Sequence, residues 1–171
     1  MKTTRLLTAG GVLAASLALA ACGGGPAQTA TKPADTAKTS NSATTLSVKS
    51  VGGIGDVLVD STGKALYASN VEMGGKVACI NGCTEFWQPL TVASGTPTAP
   101  ADAGKLGVVK RPDGTRQVTA DGKLLYTFSE DSPGKVTGNG FSDQFDGQHF
   151  TWNAVLAGGK QAGDSGTAGG Y

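Results

Sequence analysis

An internal repeat constrains the fold of this chain more than any other feature. Residues 63–77 align without a gap with residues 122–136, and seven of the fifteen positions are identical. Each copy starts with Gly-Lys-x-Leu-Tyr and ends with Gly-Lys-Val. Self-similarity of this kind is typical of domains in which neighbouring units bury one shared core. We therefore expect two related units, repeat 1 over about 54–92 and repeat 2 over about 106–156.

Turn residues between short apolar segments indicate that both repeats are β structure. Asp60-Ser61-Thr62-Gly63 and Ala120-Asp121-Gly122-Lys123 each separate two such segments, as hairpin turns do. A Pro-Asp-Gly turn at 112–114 makes residues 106–128 a predicted three-stranded meander. No stretch keeps a helical period for three turns. The predicted fold class is all-β, a compact antiparallel domain built from two related β-meander repeats.

The remaining segments of the domain divide into predicted strands and one predicted loop. We expect further strands at 46–51, 86–92 and 150–156. Residues 139–147 are expected to form a solvated loop with Phe141 and Phe145 tucked under it.

The N-terminal residues have the layout of an export signal. Two positive charges in Met1–Arg5 precede an apolar Leu- and Ala-rich run that ends near Leu19. That run is shorter than the roughly 20 residues that cross a bilayer comfortably. Small residues then lead to a cysteine in Leu19-Ala20-Ala21-Cys22, as at a cleavage site. We predict a signal peptide over residues 1–21.

Leu-Ala-Ala-Cys resembles the lipobox of bacterial lipoproteins. The resemblance implies cleavage before Cys22 and a diacylglycerol on its sulfur, and two or more acyl chains anchor a protein stably. The predicted location is the cell membrane, with the protein lipid-anchored on the extracytoplasmic face.

Two segments with few large apolar residues flank the predicted domain. Residues 22–44 carry the lipidated cysteine and a flexible tether that cannot bury a core. Residues 158–171 form a Gly-rich tail that we expect to be loose. The residues between them, 45–157, suffice for one domain with a modest core.

Charge and composition exclude two classes of function. The chain has 14 basic and 13 acidic residues with the signs interspersed, so no basic stripe predicts nucleic-acid binding. It has one histidine, no nucleophile–base pair and no phosphate loop, so we predict that it is not an enzyme. Gly163-Asp164-Ser165-Gly166 looks like a serine-protease segment, but nothing in a Gly-rich tail would hold an oxyanion.

A six-residue motif in repeat 2 points to a family. Tyr126-Thr127-Phe128-Ser129-Glu130-Asp131 reads Y-x-[FWY]-x-x-D. With the lipobox and the duplication, it resembles bacterial lipoproteins built from a secreted repeat of unknown function. Repeat 1 keeps Tyr67 and places Glu72 at the acid position, but it lacks the second aromatic residue. The resemblance implies an envelope lipoprotein and leaves its molecular role open.

The family also commonly has a cysteine pair in its first unit, followed by Trp-Pro-Pro-Leu. Here Cys79, Cys83 and Trp87-Gln88-Pro89-Leu90 occupy those places, with glutamine where a proline is expected.

The motif itself has two interpretations. Tyr126 and Phe128 are two apart on a predicted strand and share a face, so both rings can fill the core. Asp131 would then cap the following turn through side-chain hydrogen bonds. The alternative makes the acid and the phenol a ligand site. We favour the packing interpretation.

The cysteines also have two interpretations. Asn81-Gly82 is a strong turn former, so the sulfurs of Cys79 and Cys83 could come within bonding distance. In an exported protein such a pair normally oxidises to a disulfide. The alternative is a Cu(I) site formed by both thiolates and His149, since soft ligands favour that ion. We predict the disulfide and no cofactor, with copper as the alternative.

These observations predict a tethered, non-catalytic envelope module with a binding or structural role. Its expected partners are the membrane, through the lipid anchor, and a cell-wall polymer, another envelope protein or a small ligand. The alternative function is an extracytoplasmic copper-binding or electron-transfer accessory that uses Cys79, Cys83 and His149.

Overall fold

The structure is a computed structural model that describes residues 44–163. The predicted signal peptide, Cys22 and all but the last residue of the predicted tether lie outside the described residues, as does the tail from residue 164. In the described part, no helix is both long and apolar enough to cross a membrane.

Residues 44–163 form short strands with little helix, so the all-β prediction is confirmed. The strands are β1 (Ser47–Val51), β2 (Gly55–Val59), β3 (Tyr67–Ser69), β4 (Trp87–Pro89), β5 (Leu106–Lys110), β6 (Arg116–Ala120), β7 (Lys123–Leu124), β8 (Tyr126–Phe128), β9 (Phe141–Phe145) and β10 (Gln148–Ala154). The helical elements are α1 (Cys83–Phe86) and the 3₁₀ turns Met73–Gly75, Ala101–Ala103 and Ala157–Gly159.

The two repeats meet in a central five-stranded antiparallel sheet of order β4-β8-β3-β10-β9. The equivalent strands β3 and β8 lie side by side, with Tyr67 opposite Tyr126. The hairpin β1-β2 and the strands β5-β6-β7 form two smaller sheets, so the predicted meander 106–128 is correct only up to Leu124. Both tyrosines of the duplicated segment therefore lie at the junction between the repeats.

Each repeat contributes its last strand to the other repeat. β4 of repeat 1 pairs with β8 of repeat 2, and β10 of repeat 2 pairs with β3 of repeat 1. The same exchange reaches the smaller sheets. The Leu58 amide donates to the Val155 carbonyl, and the Val118 amide donates to the Leu90 carbonyl, both at 2.8 Å. Neither repeat completes its own hydrogen bonding, so the two form one folding unit.

The strand exchange brings two tryptophans together at the centre of the core. Trp87 on β4 and Trp152 on β10 are fully buried and stack with their ring centroids 4.1 Å apart and their planes 10° apart. Tyr67 meets Trp87 edge to face at 5.5 Å, and Tyr126 meets Trp152 in the same way at 5.1 Å. Buried aromatic rings in these geometries contribute more than their area alone.

One predicted loop is a strand. Phe141–Phe145 forms β9 and pairs with β10, and Asp146 and Gly147 both have positive φ at the turn between them. Two such residues in succession suit the twist of a tight hairpin. Phe141 is 43% exposed, so the expectation that it is tucked under a loop is wrong.

The other differences concern boundaries. The predicted strand 86–92 is shorter at both ends, because α1 includes Phe86 and β4 ends at Pro89. Packed structure also continues past Ala157. Ala162 is buried, and its amide donates to the Ala154 carbonyl at 2.8 Å, so the start of the predicted tail is part of the domain.

Candidate functional site

An open cavity of about 290 Å³ lies at the end of the central sheet. We call it the aromatic cleft, and it is lined by Phe86, Phe128, Glu130, Phe141, Asp143, Gln144 and Phe145. Its rings form two pairs, Phe86 with Phe145 at 6.1 Å and Phe128 with Phe141 at 5.5 Å. Phe86 is 45% exposed, and Phe141 is 43% exposed. Exposed large apolar side chains that cluster around a concave surface indicate an interaction site.

Three elements build the aromatic cleft. Phe141, Asp143 and Phe145 alternate along β9, so they share one face of the strand. Phe86 is the last residue of α1, and Phe128 is the last residue of β8. The aromatic cleft therefore contains residues from both repeats.

Asp143 is fixed at the aromatic cleft by the stacked tryptophans beneath it. The indole Nε1 of Trp87 donates to one carboxylate oxygen at 2.7 Å, and Nε1 of Trp152 donates to the other at 3.0 Å. Both donors are neutral, so they orient the carboxylate without offsetting its charge. Asp143 forms no ion pair within residues 44–163, where the salt bridge present joins Arg111 and Asp113.

The motif residues form two equivalent clasps between the repeats. The hydroxyl of Tyr67 donates to Asp131 at 2.5 Å, and the hydroxyl of Tyr126 donates to Glu72 at 2.9 Å. Each acid also holds its own loop. Asp131 accepts from the Thr137 amide at 2.9 Å, and Glu72 accepts from the equivalent amide, that of Ala78, at 2.8 Å. The tyrosine of each repeat thus binds the acid of the other.

Burial keeps the hydroxyls of Tyr67 and Tyr126 protonated. Burial first, and then the Asp131 carboxylate, raises the pKa of Tyr67 well above its usual value. Burial and the Glu72 carboxylate raise the pKa of Tyr126, although Arg111 partly opposes this. Both tyrosines therefore stay neutral and act as hydrogen-bond donors.

Arg111 completes the clasp at Tyr126. It is buried, and it donates to Gln117 at 2.6 Å, to the Cys79 carbonyl at 2.7 Å and to the Tyr126 hydroxyl at 3.2 Å. In residues 44–163 every buried side-chain nitrogen and oxygen has a hydrogen-bond partner. Satisfied networks of this kind stabilise a unique core.

The packing interpretation of the motif agrees with this arrangement. Tyr126, Phe128 and Asp131 are all buried, and the acid caps its own loop as expected. The hydrogen bond from Tyr67 to Asp131 was not predicted. The sequence did indicate it, because the tyrosine and the acid are both duplicated in the two repeats.

Residues 107–149 match the model of a family described as a secreted repeat of unknown function. The match covers about a quarter of the chain. The resemblance inferred from the motif and the lipobox is thereby confirmed for repeat 2. No curated protein matches the chain, and no solved structure matches it.

Repeat 2 differs from repeat 1 at the cysteines. Cys79 and Cys83 form a buried disulfide with 5.3 Å between their Cα atoms. Gly138 stands in repeat 2 where repeat 1 has Cys79. A Cβ at Gly138 would lie 2.8 Å from the Trp87 ring, so the core requires glycine there.

His149 lies apart from the cysteines in this structure. It is exposed on β10, opposite Gln144 of β9. Across residues 44–163 no group of three or more His, Cys, Asp or Glu side chains could hold a metal ion. A copper site would need both thiols reduced and moved towards His149, so the copper alternative stays a prediction without structural support.

Sequence reasoning missed the aromatic cleft. Its signal was the alternation of Phe141, Asp143 and Phe145 ahead of an Asp-Gly turn, a pattern typical of a hairpin strand.

Proposed function

We propose that this protein is a lipid-anchored, extracytoplasmic and non-catalytic module that binds a small ligand in the aromatic cleft. The observation that carries the proposal is the pair of exposed rings, Phe86 and Phe141, around a carboxylate that two indoles hold in place. Keeping large apolar surface in water costs roughly 25 cal/mol per Å², so a bound ligand that covers it is favoured.

The rings of the aromatic cleft are also held in place by the core when no ligand is bound. Trp87 lies 6.1 Å from Phe141 and stacks on Phe128 at 4.4 Å, so the buried core supports the rings. A site already held in its bound shape loses less conformational entropy on association. The residues that line the cleft include no nucleophile–base pair, which supports binding without catalysis.

Binding can be tested with benzyl alcohol, a small uncharged aromatic probe, on the intact chain. The two tryptophans of the chain both donate to Asp143, so their fluorescence reports on the cleft. We expect a saturable change, and we expect Phe141→Ala to weaken binding by about three- to tenfold, the equivalent of one lost ring contact.

The matched control is Met73→Ala, which removes an apolar side chain that is 61% exposed and outside the cleft. This variant should bind as the parent chain does. Equal affinities for the parent chain and Phe141→Ala would show that the cleft is not the binding site.

The anchor is supported by the lipobox at Leu19–Cys22 and by the match to a family of secreted repeats. Replacing Cys22 with Ala removes the sulfur that would carry the lipid. We expect this variant to be released into the medium, while the parent chain stays with the membrane fraction after cells are fractionated. A variant that remains in the membrane fraction would contradict lipid anchoring at Cys22.

A further inference from the structure

We infer that the aromatic cleft selects a small organic cation, specifically an alkylated ammonium group. This inference rests on the proposed function and adds the chemical class of the ligand. Its basis is the juxtaposition of four phenylalanine rings with two carboxylates, those of Asp143 and Glu130, in one cavity.

The charge of the cleft is negative. Asp143 is half-buried and oriented by neutral indoles, and Glu130 is exposed at the rim. None of the residues that line the cleft is basic. The ion pair that the structure describes within residues 44–163 is Arg111–Asp113, so neither Asp143 nor Glu130 is paired with a cation there. A partly desolvated carboxylate attracts a cation more strongly than the same group in water does.

The aromatic rings favour the same kind of ligand. Phe86 and Phe145 form one ring pair, Phe128 and Phe141 form the other, and Trp87 packs behind them. The face of an aromatic ring is negative, so a cation within about 6 Å of the ring centre is attracted to it. Sites for quaternary ammonium ligands are built from several such rings.

The apolar part of the lining favours an alkylated ammonium over a primary amine, because four of the seven lining residues are phenylalanines. Each oxygen of Asp143 accepts one indole N–H and keeps a further lone pair that faces the charge of the ligand. A primary ammonium would need three acceptors, whereas a quaternary ammonium needs none and its methyl groups can contact the rings. The cavity of about 290 Å³ suits a small head group of this type.

The test compares choline with 3,3-dimethylbutan-1-ol, its uncharged analogue of the same shape. Both are titrated into the intact chain, and binding is followed by tryptophan fluorescence. We expect choline to bind on the order of tenfold more tightly than the neutral alcohol. Glycerophosphocholine forms a further arm: tighter binding than choline indicates a lipid head group, and weaker binding indicates a free ammonium compound.

A charge variant tests whether the carboxylates of the cleft contribute to choline binding. Glu130→Gln should weaken choline binding by about two- to threefold, because the removed charge is exposed and screened by solvent. The ratio of choline affinity to neutral-alcohol affinity should fall by the same factor. Asp102→Asn is the matched control, since Asp102 is exposed but does not line the cleft.

The outcomes separate this inference from the proposed function. Equal affinities for choline and the neutral alcohol would overturn the inference, while benzyl alcohol binding that depends on Phe141 would leave the proposed function standing. Failure of choline to bind, with benzyl alcohol still bound, would also overturn the inference and leave the proposed function standing. Loss of the Phe141 dependence for benzyl alcohol would overturn both.

Discussion

At the scale of single residues, two tyrosine hydroxyls join the repeats. Tyr67→Phe keeps the ring against Trp87 but leaves the buried Asp131 one donor short. A buried polar group without its partner costs about 1–3 kcal/mol. We therefore expect the free energy of unfolding, measured with denaturant, to fall by that amount. Tyr126→Phe tests the equivalent clasp at Glu72 and should cost a similar amount. An unchanged unfolding midpoint in both variants would contradict a stabilising role for the clasps.

The same hydroxyls predict how stability depends on pH. Burial and the neighbouring acids raise the pKa of Tyr67 and Tyr126 in the folded state, whereas an unfolded tyrosine ionises near pH 10. Their contribution is thus fully present below about pH 10 and is lost as pH rises towards the folded pKa. Above pH 10 each tyrosine should lower the free energy of unfolding by roughly 1.4 kcal/mol per pH unit.

Denaturant unfolding from pH 8 to 11 measures this slope, and Tyr67→Phe serves as the comparison because it differs from the parent chain only by the removed phenol hydroxyl. The variant should lose stability less steeply. An identical slope in the two proteins would mean that Tyr67 ionises equally easily in both states.

At the scale of elements, the disulfide holds the segment that leads into α1 and β4. It closes a very short loop, for which chain entropy predicts about 2 kcal/mol of stabilisation. We expect the double variant Cys79→Ser, Cys83→Ser to unfold at lower denaturant concentration, with a loss of that order or larger because both positions are buried. Intact mass with and without reductant checks the premise. A parent chain that gains no mass on reduction would contradict the disulfide.

The strands that bury an apolar face could be predicted from the sequence, whereas the partners of those strands could not. Leu106–Lys110 and Arg116–Ala120 match the predicted meander, since their turn residues set a local pairing. The exchange of β4 and β10 leaves no such signal. Each of these strands would show the same pattern if it paired within its own repeat.

The candidate site was harder to predict than the core for a related reason. β9 carries Asp143 between two phenylalanines and buries no complete face, so its sequence favours a loop over a strand. The hydrogen bonds that orient the Asp143 carboxylate come from Trp87 and Trp152. These two residues are distant in sequence and meet only through the strand exchange. The disulfide, by contrast, could be predicted because its turn is local.

At the scale of the whole molecule, the strand exchange predicts that neither half folds alone. The fragment 44–103 contains β4 without β8, and the fragment 104–163 contains β10 without β3. Each fragment would expose the buried face of its own tryptophan, so we expect neither to unfold cooperatively as a monomer. Mixed together, they should restore the Trp87–Trp152 stack, seen as a change in fluorescence and as one complex in gel filtration. A monomeric 104–163 that melts cooperatively would show that repeat 2 is a self-sufficient fold.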